Sequence, residues 1–245
     1  MDYVPHPRRF VFMALAAAVV VVGCAAPART PPRPPALAPP GPGSVVPAIN
    51  LDAPGRPADQ LVAWAADRAP ALGIPPVALQ AYGYAAASLA RSSPGCGIGW
   101  ATLAGIGSVE TRHGSFRGAR LDATAVARPP IRGAALDGRP GLAEIRDTDG
   151  GTLDGDRVYD RAIGPMQFIP TTWQRWGVDA DGDGVANPDD LDDAALAAAS
   201  YLCASGGAST TAAGWRDAVR TYNQSDSYVR EVLNRADGYA RAATA

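Results

Sequence analysis

The chain has 245 residues, 47% hydrophobic and 19% charged, which is apolar enough to build a core and excludes a wholly disordered chain. Its 22 basic residues are all Arg, its 24 acids are 21 Asp and three Glu (Glu110, Glu144 and Glu231), and the formal net charge is −2. With only His6 and His113 present, a His-rich zinc site is excluded, and the absence of any Lys/Arg cluster gives no sign of a nucleic-acid partner.

Arg8 and Arg9 precede an apolar run from Phe10 to Val22, too short to cross a hydrocarbon core of about 30 Å comfortably. The run ends in Val21-Val22-Gly23-Cys24, which resembles a bacterial lipobox. That resemblance implies a signal peptide over 1–23, cleavage before Cys24 and lipidation of its sulfur. The exported protein would then be anchored at the outer face of the cytoplasmic membrane. An uncleaved anchor, or cleavage after Ala25 or Ala26, is the alternative, and it too means export. Residues 24–57 hold 11 of the 23 Pro, a composition that favours extended polyproline II and a semi-rigid tether. The folded domain is expected over 58–245. Setting Cys24 aside leaves Cys96 and Cys203, an even pair that in an exported chain reads as one disulfide, with two separate buried thiols as the alternative.

The periodicity beyond the tether is helical. Helices are expected over Ala58–Arg68, over Val77–Ala90 behind Pro75-Pro76, and over Trp100–His113, closed by Gly114. Residues 114–163 are rich in Gly, Pro and Asp and show no helical period, which suits an irregular or small β segment walling a cleft. Further helices are expected over Pro170–Trp176, Leu191–Ala204, Ala212–Tyr222 and Tyr228–Ala240. The fold class is therefore mainly α.

The third helix carries the sharpest signal. At 100° per residue, Glu110 falls on the face of Leu103, Ile106 and Gly107. Burial disfavours the charged carboxylate and raises its pKa above about 4.3, toward the value a proton donor needs near neutrality. A buried Glu paired with an arginine is the structural alternative. The next motif, Gly164-Pro165-Met166-Gln167-Phe168-Ile169-Pro170, joins a tight turn to an amide able to donate and accept hydrogen bonds with a sugar. A third, Tyr222-Asn223, ends a helix.

Between them, Asp179, Asp181, Asp183, Val185, Asn187 and Asp190 follow EF-hand loop spacing, with Gly184 at the sharp turn. Asp190 stands where such loops carry Glu. A bound Ca²⁺ would offset repulsion among seven Asp between 179 and 193.

The ordered set "GIGSVETRHG", "GPMQFIPTTW" and "VRTYNQSDSYV" resembles the lytic murein transglycosylases, in particular the actinobacterial form of their membrane-bound B type, over about residues 58–240. The resemblance implies a lysozyme-like α+β fold. It implies peptidoglycan as substrate and cleavage of the MurNAc–GlcNAc β-1,4 bond without water, leaving a 1,6-anhydro-muramoyl end. Glu110 would be the acid and then the base. Gln167, Tyr222 and Asn223 would line sugar sites, with Met166 and Phe168 shaping the wall. No cofactor is implied for catalysis, and a calcium loop occurs in some relatives. Classical glycosidases use two carboxylates, and Asp154, Asp156 and Asp160 are the available second acids. A hydrolytic muramidase with the same site, a non-catalytic wall-binding lipoprotein and a calcium-dependent partner-binding protein are the alternative readings.

Overall fold

The computed structural model describes residues 38–41, 43–206 and 209–243, within a compact unit spanning Ala36–Ala245. The signal peptide over 1–23 and the lipidation site Cys24 lie outside the described residues. A 3-10 turn over Pro57–Leu61 leads into α1 (Val62–Leu72), α2 (Pro76–Ser92) and α3 (Trp100–Thr111). Then come β1 (Arg120–Leu121), β2 (Ala127–Arg128), β3 (Arg132–Ala135) and β4 (Arg161–Ile163). The chain closes with α4 (Pro170–Trp176), α5 (Leu191–Gly206), α6 (Ala212–Tyr222) and α7 (Asp226–Ala242). The fold is mainly α, with antiparallel ribbons β1–β2 and β3–β4 inside the stretch expected to be irregular or a small β segment.

Helix α3 is the axis of the fold. Periodicity suggested one apolar stripe, but every residue from Trp100 to Gly107 is buried. Small residues make this possible. A Cβ on Gly105 would lie 2.9 Å from the Val232 carbonyl oxygen of α7, and one on Gly107 would lie 2.0 Å from the Tyr82 hydroxyl of α2. Neighbouring helices therefore close on α3 from several sides, and only its last turn, with Ser108, Val109 and Glu110 half-buried, reaches a surface.

Beyond Thr111 the chain turns left-handed through Arg112, His113 and Gly114. The His113 ring ties three helices together at this point: Nδ1 is 3.1 Å from the Tyr82 hydroxyl and Nε2 is 3.0 Å from that of Tyr239. Burial is the main reason its pKa falls to about 4, so the imidazole is neutral at physiological pH.

Residues 43–57, read from composition as part of the tether, pack on the domain instead. The cause is unsatisfied donors in the core: the Trp100 and Trp64 indole N–H groups donate to the carbonyls of Ser44 and Val45, at 3.0 and 3.1 Å. Arg56 then reaches in to buried Asp192 at 2.6 Å. Cys96 is buried and Cys203 half-buried, and both are free thiols, so the structure does not contain the bridge expected between them. No helix among the described residues is long and apolar enough to cross a membrane.

Candidate functional site

Glu110 is carried by the last turn of α3 and meets Tyr228 at the start of α7. Ser225 caps α7, its side chain accepting the Tyr228 N–H, and so fixes where the tyrosine stands. The Tyr228 hydroxyl donates to Glu110 Oε1 at 2.5 Å. Desolvation pushes the Glu110 carboxyl up to about 7, with the Tyr228 hydrogen bond pulling the other way. No arginine pairs with Glu110 among the described residues, so the ion-paired alternative does not hold. Tyr228 stood inside the third motif, but no sequence spacing connects positions 110 and 228.

The glycine turn is clamped to the same helix end. Gly164 has φ +73°, donates its N–H to the Ile131 carbonyl at 2.9 Å, and passes so close to Pro188 that a Cβ would sit 1.7 Å from its carbonyl oxygen. Thr111 donates its hydroxyl to the Pro165 carbonyl at 2.6 Å, and Tyr222 donates to the Met166 carbonyl at 2.8 Å. The ends of α3 and α6 are thereby fastened to one turn. Gln167 occupies a left-handed conformation, with its side-chain amide donating to the Gly164 carbonyl at 2.9 Å.

Gln167, Phe168, Tyr222 and Asn223 line one cavity of about 530 Å³, together with Ile145 and Tyr201. Met166 is fully buried, with its sulfur near Gly107, so it supports the turn from below instead of facing the cavity. Glu110 lines a different and larger cleft of about 1000 Å³, bounded by the left-handed turn after α3 and by α7.

The three aspartates considered as a second acid are all engaged by their own loop. Asp154 accepts the Arg161 and Asp156 backbone N–H groups, and buried Asp160 accepts the N–H and hydroxyl of Thr148. Asp156 accepts the Val158 and Tyr159 N–H groups and pairs with Arg161 at 2.8 Å.

In the acidic loop, carboxylate oxygens of Asp179, Asp181 and Asp193 lie within 4.8 Å of one another. Asp193, three residues beyond the EF-hand spacing, converges with the first two, whereas Asp190 does not join that group. Asp190 begins α5 and turns one oxygen to the Asp192 N–H at 2.7 Å, a helix-capping bond. One helical turn later Asp193 reaches back across the loop, accepting the N–H groups of Ala180 and Asn187 at 2.6 and 2.8 Å. Burial first, then repulsion from neighbouring carboxylates, pushes Asp190 up to about 8 and Asp193 to about 7. Converging hard oxygens under mutual repulsion are the donor set a divalent cation such as Ca²⁺ prefers. Asp183, Val185 and Asn187 keep loop positions, with Asp183 accepting the Val185 N–H at 2.8 Å and Asn187 accepting that of Asp189 at 3.0 Å.

Residues 158–216 match the transglycosylase SLT domain family, a stretch holding the glycine turn and the acidic loop but not Glu110, Tyr222 or Asn223. That match is a similarity to the transglycosylase SLT domain over about a quarter of the chain. No curated protein matches the sequence. Among solved structures, the Escherichia coli lytic transglycosylase Slt35 in complex with calcium is 16% identical, covering 79% of this chain and 81% of its own, with a TM-score of 0.45. The soluble lytic transglycosylase SltB1 from Pseudomonas aeruginosa is 17% identical, covering 81% of this chain and 86% of its own, with a TM-score of 0.47. SltB3 from Pseudomonas aeruginosa, in complex with NAG-anhNAM-pentapeptide, is 19% identical, covering 75% of this chain and 67% of its own, with a TM-score of 0.38.

Proposed function

We propose that the protein cleaves the MurNAc–GlcNAc β-1,4 bond of peptidoglycan by a single-acid route ending in a 1,6-anhydro-muramoyl product. The observation that carries this reading is a desolvated carboxyl of pKa about 7 at Glu110, while Asp154, Asp156 and Asp160 are all spent on their own loop.

A carboxyl of that pKa is substantially protonated at neutral pH and able to give its proton to the leaving O4 as the C1–O4 bond breaks. The neighbouring N-acetyl group of the substrate stabilises the oxocarbenium ion, which removes the need for a second carboxylate. Glu110, now ionised and held by the Tyr228 hydroxyl, takes the proton of the C6 hydroxyl as that oxygen closes on C1. Gln167, Phe168, Tyr222 and Asn223 bind glycan residues in the cavity they line, separate from the cleft of Glu110. Asp179, Asp181 and Asp193 hold a structural divalent cation, which supplies charge neutralisation in the loop that abuts Gly164 and takes no part in the bond cleavage. The resemblance of Val21–Cys24 to a lipobox supports anchoring of the enzyme in the cell envelope through Cys24.

Glu110→Gln preserves size and hydrogen bonding but cannot donate and retake a proton. The expected loss of anhydro-muropeptide release from purified sacculi, followed by mass spectrometry, is about 10²–10⁴-fold. A tenth of wild-type release would overturn the assignment, and products with reducing muramoyl ends would replace it with a muramidase.

A further inference from the structure

Residues 43–57 form a strap held on the domain by different chemistry at its two ends. At the leading end the strap offers backbone acceptors and apolar packing: the Trp100 and Trp64 indoles donate to Ser44 and Val45, and Val46, Ile49 and Leu51 lie half-buried on the core. At the trailing end the contact is ionic and enclosed. The Arg56 side chain is only 8% exposed. Its Nε and Nη2 donate to the two oxygens of Asp192 at 2.6 and 3.1 Å, while Nη1 donates to Gln80 at 2.6 Å and to Asp59 at 2.8 Å.

This trailing end abuts the acidic loop. Asp192 stands in the first turn of α5, directly before Asp193, whose carboxylate converges with those of Asp179 and Asp181. The carbonyl of Gly55 lies against the loop at Gly182, where a Cβ would come within 3.3 Å of it. Gly182 in turn donates its N–H to Asp179 at 2.7 Å, so the strap meets the loop one bond away from a converging carboxylate.

Both footholds need the loop closed. Three carboxylates whose oxygens lie within 4.8 Å repel one another unless a cation stands among them. Opening the loop to relieve that repulsion would carry Gly182 away from Gly55, and the start of α5, with Asp192, away from Arg56. A bidentate pair this enclosed tolerates little displacement, because separating it leaves a buried charge uncompensated. Arg56 does not oppose the cation, since Asp192 and Asp59 already answer its charge.

We propose that the strap and the acidic loop are coupled, so that a divalent cation among Asp179, Asp181 and Asp193 locks residues 43–57 down through Arg56. The inference rests on the structural-cation reading above and adds a regulated part to it. Linkage makes the effect reciprocal, and the docked strap tightens cation binding by the same factor. In a chain anchored through Cys24, loss of the cation would release residues 43–57 into the tether. At about 3.1 Å per residue that lengthens it by roughly 45 Å, so the cation level sets how far from the membrane the domain can work.

The test uses metal-stripped exported protein. Calorimetry with Ca²⁺ gives Kd, and amide hydrogen exchange follows residues 43–57 before and after Ca²⁺ is added. In the wild type, Ca²⁺ is expected to slow exchange of the strap about tenfold or more beyond any change in α2. Arg56→Gln/Asp192→Asn replaces the ion pair by neutral groups that still hydrogen-bond, so no charge is left buried alone. This variant is expected to bind Ca²⁺ about tenfold more weakly and to keep a fast-exchanging strap at saturating Ca²⁺. Ca²⁺ that binds the wild type without slowing the strap, or that speeds its exchange, overturns the coupling and leaves the cation site standing. A double variant with the wild-type Kd, or with a strap that still responds, overturns it as well. No heat from the wild type at millimolar Ca²⁺ removes the cation and the coupling together. The wild-type measurement decides the matter even if the variant does not fold.

Discussion

The Tyr228 hydroxyl, at the start of α7, donates to Glu110 Oε1, on the last turn of α3, at 2.5 Å. Two helices distant in sequence thus meet at one buried carboxyl. The bond stabilises the ionised carboxylate and partly offsets the desolvation that lifts Glu110 to about 7. Tyr228→Phe should therefore move the alkaline limb of muropeptide release to higher pH, because the carboxyl then stays protonated further up the scale. The rate at the optimum should fall by roughly tenfold, since a charge-assisted hydrogen bond is lost from the ionised intermediate. A pH–rate profile of the variant checks both; an alkaline limb that stays put or moves down would show that Tyr228 does not set the proton affinity of Glu110.

The same burial has a thermodynamic signature. Glu110 titrates near 4.5 when exposed and near 7 when folded, so the native state holds its proton more tightly. Its contribution to stability is complete below about 4.5 and is lost as pH rises through about 7. A glutamine cannot ionise and suffers no such loss. Glu110→Gln should melt with the wild type at pH 4 and above it at pH 8, measured by thermal denaturation in the same buffers. A difference independent of pH would mean that the carboxyl is not desolvated.

Much of this site was legible in the sequence because it depends on local chemistry. Gly164 announces a tight turn, and Pro170 and Gly177 bound α4 at the expected positions. Glu110 on an apolar helix was correctly expected to be desolvated, though the stripe proved to be one side of a helix buried all round. What stayed hidden depends on tertiary placement. Tyr228 meets Glu110 only because α7 lies on α3 through Gly105. Asp193 displaces Asp190 because helix α5 begins within the loop and brings its next turn back over it. The start of the folded body was missed for a similar reason: a Pro-rich segment supplies the carbonyls that two indoles in the core require.

Cys96 and Cys203 are free thiols in the structure, and burial first, with Cys203 as a neighbour, raises the Cys96 pKa to about 11. Such a thiol is a poor nucleophile at neutral pH, so the pair would be oxidised by an exchange catalyst during export, before the domain closes over it. The bridge would close a loop of over 100 residues and contribute roughly 2–5 kcal/mol if unstrained. Non-reducing peptide mapping of exported protein should find the two cysteines linked, and reduction should lower the melting temperature. Two free thiols in exported protein would refute the bridge.

The acidic loop offers a sharper test, because sequence spacing and structure nominate different residues. Spacing places the last ligand at Asp190, whereas Asp193 brings its oxygen within 4.8 Å of those of Asp179 and Asp181. Ca²⁺ that binds only the native state stabilises it by mass action, about 2.7 kcal/mol at a hundredfold excess over Kd. For a domain of this size that corresponds to a rise of roughly 5–11 °C in Tm. Asp193→Asn removes a charge from the converging set and should abolish most of the rise in metal-stripped protein. Asp190→Asn keeps an oxygen able to cap the Asp192 N–H and should retain most of it. The reverse order would restore Asp190 as the ligand, and no rise in the wild type at millimolar Ca²⁺ would remove the cation altogether. Loss of the cation should also weaken glycan binding by Glu110→Gln, because the loop's Pro188 carbonyl rests on Gly164 and its Asp189 holds Arg132, at 2.8 Å, on the strand beside the turn that carries Gln167.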